Sequence, residues 1–305
     1  VRWVVVLAAA AVGGCGGDLL PAERVLGDEL PAVVVEGATG EGFGAAVAAG
    51  TLDGAPVVLV AAPEVGRVDR LDADGRHVES WTGAEGFGRE LAIVEGEAYA
   101  IDPGVGVRRL RDGVAVAEVA DARHVAVCAT GEIRATTVDD DDLACGPGGE
   151  DLRLSCAEEG CAVSLDGAQL DLVEPGGAVG FDGDRACWGD VMRSDPEGSG
   201  RVRCDDGTER VGLAGEHLGT SLASGGDGEA LAAGVFDKWI VPARARIHPL
   251  SGADVLAIDD ADENARLALA RGGGLLAVGV ADYRRGRDVQ GRVFIVAADL
   301  VEVAP

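Results

Sequence analysis

The sequence predicts an all-β protein, a β-propeller, and three observations predict it. Apolar strand starts recur at a fixed interval: aligned on Val47, Leu91, Val179, Leu222 and Leu267, the first two stand 44 residues apart and the last three 43 and 45 apart. Each unit reads as four short strands. The second shows them best, as ELAIVEG, EAYAIDPG, VGVRRLRDG and VAVAEV between Glu90 and Val119. Glycine occurs 48 times and aromatic residues make up 4%, so turns are plentiful and the core must be built from Val, Leu, Ile and Ala. A period of about 40 to 45 residues with four strands is the arithmetic of a propeller blade.

Along the chain, Arg2 precedes an apolar run from Trp3 to Val12, then Gly13, Gly14 and Cys15. That run is too short to span a bilayer, which takes about 20 residues, and it reads as a secretory signal over residues 1–14. Val12-Gly13-Gly14-Cys15 resembles a bacterial lipobox. The resemblance implies that Cys15 is lipidated and that the protein is anchored to the bacterial envelope. Gly16 at the next position leans toward the outer membrane. Residues 15–31 read as a tether and 32–305 as the propeller.

Within the repeats, GATGEGFGAAVAAG from Gly37 is echoed by WTGAEGFGRELAIVEG from Trp81 and more weakly by GEHLGTSLASG from Gly215. A later strand often opens with Gly-Arg-Val. Phe43-Gly44 with Ala61-Ala62-Pro63 and Gly66-Arg67-Val68, Phe87-Gly88, Gly219 with Gly234, and Gly279 with Gly291-Arg292-Val293 resemble the FG-GAP repeat of integrin-alpha-type propellers. That family often carries a D-x-D-x-D-G calcium loop. Here the matching stretches shrink to Leu52-Asp53-Gly54 and Gly226-Asp227-Gly228, too few oxygens for calcium, so no metal or cofactor is carried over. Residues 125–179 fit the period poorly. Read as two short blades they make seven in all, and read as one elaborated blade they make six. The last unit lacks a fourth strand and the N-terminus has a spare one. The sequence therefore predicts that Val33–Glu36 pairs with Val293–Ala297 and closes the ring.

Apart from Cys15, six cysteines remain, an even number that suits an exported chain. Spacing favours neighbours: Cys128–Cys145, Cys156–Cys161 and Cys187–Cys204. No C-x-x-C or paired Cys/His spacing points to zinc.

Fifty-three acids against 26 bases give a net charge of −27, which argues against nucleic-acid binding. His77, His124, His217 and His248 are scattered, and no nucleophile elbow, P-loop or dinucleotide fingerprint occurs. Asp139–Asp142 is either a cation loop or a solvated hairpin tip, and Asp259–Glu263 either a site or a solubilising loop. Trp81, Trp188 and Trp239 are adhesive surface or core. Tyr283 with Arg284, Arg285 and Arg287 forms the main basic cluster, expected in a loop able to meet an anionic partner. With no catalytic motif, the expected function is a lipid-anchored, noncatalytic propeller that presents loops to a protein or glycan. The alternative is a propeller hydrolase or lyase, marked by titratable side chains converging at one mouth of the central channel.

Overall fold

The second strand of a propeller blade lies between two neighbouring sheets and must be apolar on both faces. Val57–Ala62 meets that demand with six successive residues at 2% exposure or less. The computed structural model describes residues 23–119, 121–128, 130–137, 141–157, 160–192, 198–223, 231–234, 244–250, 255–259, 267–285 and 288–301. Two strands, β1 (Glu23–Val25) and β2 (Val33–Thr39), precede the first blade. That blade is β3 (Val47–Leu52), β4 (Ala55–Ala62), β5 (Arg67–Asp72) and β6 (His77–Thr82). The second is β7 (Leu91–Val94), β8 (Glu97–Asp102), β9 (Gly106–Arg109) and β10 (Ala115–Ala117). A two-stranded hairpin follows, β11 (His124–Val127) with β12 (Ile133–Thr136). The third blade is β13 (Asp142–Cys145), β14 (Asp151–Ala157), β15 (Gly160–Leu165) and β16 (Ala168–Val173). The fourth is β17 (Val179–Asp182), β18 (Arg185–Asp190), β19 (Arg201–Cys204) and β20 (Glu209–Val211). The fifth is β21 (Ser221–Ala223), β22 (Leu231–Gly234), β23 (Arg244–Pro249) and β24 (Val255–Asp259), with β1 added in parallel outside β24. The sixth is β25 (Leu267–Gly272), β26 (Leu275–Arg285) and β27 (Asp288–Ala297), with β2 antiparallel to β27.

Among the described residues there are thus six blades, not the seven expected. The irregular stretch 125–179 holds one full blade and a hairpin whose inner strand β11 stands between β7 and β13. Too few residues separate β12 from β13 for two more strands. In the sixth blade Val33 lies opposite Ile295 and Val35 opposite Val293. Within the stretch expected to be a tether, Glu23–Val25 form β1. Leu26 and Leu30, at 5% and 4% exposure, join the apolar layer between the fifth and sixth blades. Residues 1–22, with the signal and Cys15, lie outside the described residues.

The core is a set of layers between blades. Leu59, Ala61 and Val68 of the first blade meet Leu91, Ala98 and Ala100 of the second. Val58 and Val60 meet Ala277, Val293 and Ile295 of the sixth across the first blade's other face. The Phe-Gly repeat has a physical cause here. Gly44, Gly88 and Gly219 adopt φ of 85°, 81° and 103°. Their N–H groups donate to the second-strand carbonyls of Ala61, Ile101 and Ala233, at 2.8, 2.8 and 3.0 Å. Each also abuts the preceding blade: a Cβ on Gly44 would meet Arg292 O at 2.7 Å, and one on Gly219 the Cα of Gly189 at 2.7 Å.

Gly44→Ala is therefore expected to cost roughly 2–4 kcal/mol, lowering the melting temperature by about 5–10 °C. Gly54→Ala has a similar φ of 76° but nothing within 4 Å of its Cβ, so it is expected to lose only the backbone part. Equal losses in a calorimetric scan would contradict a role for the contact between blades. Gly54 and Asp53 (φ 53°) form a two-residue hairpin turn, and the Asp53 carboxylate binds Arg70 at 3.0 Å. The shrunken calcium loop at Leu52-Asp53-Gly54 is this turn, and Gly226-Asp227-Gly228 lies outside the described residues.

Candidate site at the mouth of the channel

The innermost strands β3, β7, β11, β13, β17, β21 and β25 neighbour one another in turn, and β25 returns to β3. The residue just before the aligned apolar position occupies the same register in each: Ala46, Glu90, His124, Asp142, Ala178 and Ser221, with position 266 outside the described residues. Glu, His and Asp are thus consecutive around the ring, at the starting ends of β7, β11 and β13.

Repeat geometry makes them converge. The Glu90 carboxylate accepts the N–H of Val125 in β11, and Asp142 Oδ2 accepts the N–H of Val179 in β17 at 2.8 Å. Each side chain reaches over the next inner strand and satisfies an N–H that faces the channel. Asp142 Oδ1 also accepts the Leu143 N–H at 2.8 Å. His124 Nδ1 lies between the acids, 3.8 Å from Glu90 Oε2 and 3.9 Å from Asp142 Oδ1. One ligand atom from each residue falls within 4.8 Å of the others. Side-chain exposures of 27%, 30% and 18% for Glu90, His124 and Asp142 make the cluster partly buried, with Asp142 the most enclosed.

The electrostatics are unfavourable without a cation. Burial pushes the Asp142 carboxyl up to about 6, and the negative charge of Glu90 adds to the rise. The N–H of Val179, His124 and the N–H of Leu143 oppose it. A divalent ion bound to nitrogen and oxygen at about 2.0–2.2 Å needs ligand atoms roughly 3.0–3.5 Å apart. The two carboxylate oxygens at 3.8 and 3.9 Å from His124 Nδ1 would have to close on it by less than about 1 Å, and on each other, from within 4.8 Å, by up to about 1.8 Å. One imidazole and two carboxylates suit zinc or manganese better than calcium, which prefers six to eight oxygens. Three protein ligands leave positions for water or substrate.

The three disulfides are those expected: Cys128–Cys145, Cys156–Cys161 and Cys187–Cys204. Their Cα atoms stand 5.3, 3.9 and 4.0 Å apart. The last two are closer than the usual bridge, about 4.4–6.8 Å, and both join residues directly opposite in a ladder. The first ties β11 to β13, the strands that carry His124 and Asp142. Replacing Cys128 and Cys145 by Ser is expected to cost about 3 kcal/mol. The amides of Val125–Val127 should then exchange faster, while that of Leu59 should not. Uniform change across the chain would contradict a local role for this bridge.

The other candidates fall elsewhere. Tyr283, Arg284 and Arg285, expected in a loop, instead belong to β26 and pair with Gln290, Val289 and Asp288. The hairpin runs on past a register shift between Val280 and Tyr283, and Arg287 lies outside the described residues. Asp139 and Asp140 lie outside them too. Asp141 accepts the Thr136 hydroxyl at 3.1 Å and the Cys156 N–H at 2.7 Å. Of Asp259–Glu263 only the Asp259 backbone is described, at the end of β24. Trp188 is core at 6% exposure, its indole N–H donating to Asp171 at 3.0 Å. Trp81 is partly buried, and Trp239 lies outside the described residues. His248 is buried against Glu216, and His77 is exposed beside Ser80.

No family model and no curated protein matches the chain. Solved structures do. A calcium-binding protein, regucalcin, from Agrobacterium tumefaciens superposes with a TM-score of 0.50 at 11% identity, over 90% of this chain and 97% of that one. Virginiamycin B lyase from Staphylococcus aureus matches with a TM-score of 0.38 at 12% identity, over 86% and 88%. BamB from Moraxella catarrhalis matches with 0.39 at 13%, over 81% and 83%. The fold is a β-propeller. At these identities the likeness extends to the fold alone, and the FG-GAP resemblance rests on its own residues. The disulfides indicate an extracellular or periplasmic protein. No helix among the described residues is long and apolar enough to cross a membrane.

Proposed function

We propose that this propeller binds a divalent cation at the mouth of its channel through Glu90, His124 and Asp142 and acts there as a hydrolase on a small ligand carrying a carbonyl or phosphoryl group. One observation carries the reading: three ligating side chains from three successive inner strands converge at one end of the ring. A cation there would favour the charged form of Asp142, which burial first and the charge of Glu90 second disfavour. When bound, it would polarise the ligand oxygen or lower the pKa of a bound water.

The test is calorimetric titration of the intact protein with zinc, manganese and calcium chlorides, followed by assays on lactones and aryl esters. The expected result is one site per chain, lost in Glu90→Gln and His124→Ala, with turnover that needs the ion. Binding unaffected by both substitutions would refute the site. The two carboxylate–backbone bonds favour a second reading, a noncatalytic cation that only ties blades together. Binding without turnover would select it.

We further propose that the protein sits at the bacterial envelope, held by a lipid on Cys15 at the outer membrane, where its loops meet a protein or glycan partner. The lipobox-like Val12-Gly13-Gly14-Cys15 and the three disulfides support this placement. Mass spectrometry of membrane-extracted protein should find a diacylglyceryl group on Cys15, and Cys15→Ser should release the protein. A soluble wild-type product with another N-terminus would contradict the anchor.

A further inference from the structure

Two loops at the channel mouth repeat one pattern. Pro63-Glu64-Val65-Gly66 joins β4 to β5 in the first blade, and Pro103-Gly104-Val105-Gly106 joins β8 to β9 in the second. Val47 lies opposite Val60 and Leu91 opposite Ala100, so the ends of β4 and β8 stand beside the starting ends of β3 and β7. The two loops are therefore on the face that holds Glu90, His124 and Asp142. Burial repeats with the sequence: each proline is half-buried, each final glycine is buried, and the valine before it is exposed, Val65 at 50% and Val105 at 42%. Turns favour Gly, Asn, Asp and Ser, and a single exposed valine is ordinary. The same valine at the same place in adjacent blades makes an apolar surface.

Gly86 joins the two loops. Its N–H donates to Pro63 C=O at 2.7 Å, and a Cβ placed on it would meet Pro103 Cγ at 3.1 Å and Arg89 Nη2 at 3.4 Å. The Arg89 guanidinium thus lies over the seam between the loops, and Arg89 directly precedes the ligand Glu90 in sequence. Glu64 turns the other way, its Cγ 2.9 Å from where a Cβ on Gly42 would stand. Neighbouring arginines are engaged: Arg67 with Glu41 and Asp69, and Arg108 with Asp102. Arg89 is exposed and has no ion pair or side-chain hydrogen bond among the described residues. In a chain of 53 acids and 26 bases, the mouth thus keeps a cation without an anion.

We propose that the two valine loops and Arg89 form the substrate subsite of the channel mouth, and that its ligand is a small amphipathic anion with an apolar chain and a carboxylate. The guanidinium fork matches a carboxylate. The valines on either side of it take the chain. Both contacts are needed. An exposed arginine–carboxylate pair alone is worth little in water, and a net charge of −27 repels an anion that brings nothing else. That this ligand is turned over rests on the proposed hydrolase. That it binds rests on the loops and Arg89.

The experiment titrates octanoate into the intact, disulfide-bonded protein by calorimetry, once in EDTA and once with manganese. One site per chain is expected in both, with acetate and octanamide each at least about tenfold weaker. Arg89→Gln should weaken octanoate at least about tenfold and erase its advantage over octanamide. Val65→Ser combined with Val105→Ser should reduce its advantage over acetate. All three side chains are exposed, so the fold is spared. Val78→Ser, at a comparably exposed valine of β6, should leave octanoate binding unchanged. Octanoate bound in EDTA supports the subsite whatever manganese does, so failure of the cation site and failure of the subsite are read separately. No saturable octanoate binding, equal affinity in Arg89→Gln, or equal affinity of octanamide would overturn the proposal.

Discussion

Deleting residues 32–37 is expected to lower the melting temperature by roughly 10 °C, more than any single substitution in the ring. The segment includes most of β2, whose Val33–Glu36 stretch pairs residue by residue with Ile295–Arg292. Its loss exposes the edge of β27 and removes Val33 and Val35, which pack on the layer between the sixth and first blades. About four lost backbone bonds at about 1 kcal/mol each, with partial exposure of two valines, amount to roughly 5 kcal/mol. The deletion also pulls β1, Leu26 and Leu30 away from the fifth blade, since they reach it along the same segment. Calorimetry of the truncated chain is the check. An unchanged melting temperature would mean that ring integrity does not depend on β2.

Asp142→Asn is expected to produce the second large effect, with opposite signs in the absence and presence of metal. The Asp142 carboxyl is raised from 3.8 to about 6 in the folded protein. Between those values the folded chain holds a proton that the unfolded chain has released. Stability without metal therefore falls as pH rises from about 4 to about 6, and the penalty persists in full above that. The shift corresponds to at most about 3 kcal/mol, since each unit is worth about 1.36 kcal/mol and the side chain keeps some solvent contact. Asn carries no charge, so this fall should disappear in the variant, although one of the two backbone N–H groups loses its acceptor. With an ion at about 100 times its dissociation constant, the wild type should gain about 2.7 kcal/mol at neutral pH. The variant should gain nothing. A variant that keeps both the pH slope and the metal response would contradict the cluster's electrostatics.

The propeller is legible in the sequence because its demands repeat. Where the chain bends into an inner strand with a positive φ against the preceding blade a glycine is needed, so Gly44, Gly88 and Gly219 recur in register. Second strands covered by a blade on each side are buried on both faces, so apolar runs such as Val57–Ala62 accompany them. The three disulfides are legible because their partners lie on neighbouring strands. The blade number is not. The period counts residues, and between Val125 and Val179 the chain completes one blade and abandons another after two strands. Residues 23–30 escape notice for a similar reason: Leu26 and Leu30 serve the fifth blade from a segment too short to show periodicity.

The cluster at the channel mouth is hidden in the sequence although its register is available there. Glu90 immediately precedes the aligned Leu91. His124 and Asp142 hold the same place before Val125 and Leu143, but those strands belong to the irregular stretch, where the period gives no aligned start. The residue before each inner strand start is the signal that picks out all three.

Whether a cation sits between Glu90, His124 and Asp142 is decided by anomalous diffraction from crystals of the intact protein soaked in manganese or zinc. A peak is expected at the channel mouth, about 2.0–2.2 Å from His124 Nδ1 and from one oxygen each of Glu90 and Asp142. Peaks confined to other acidic surfaces, with the three side chains still apart, would contradict the site.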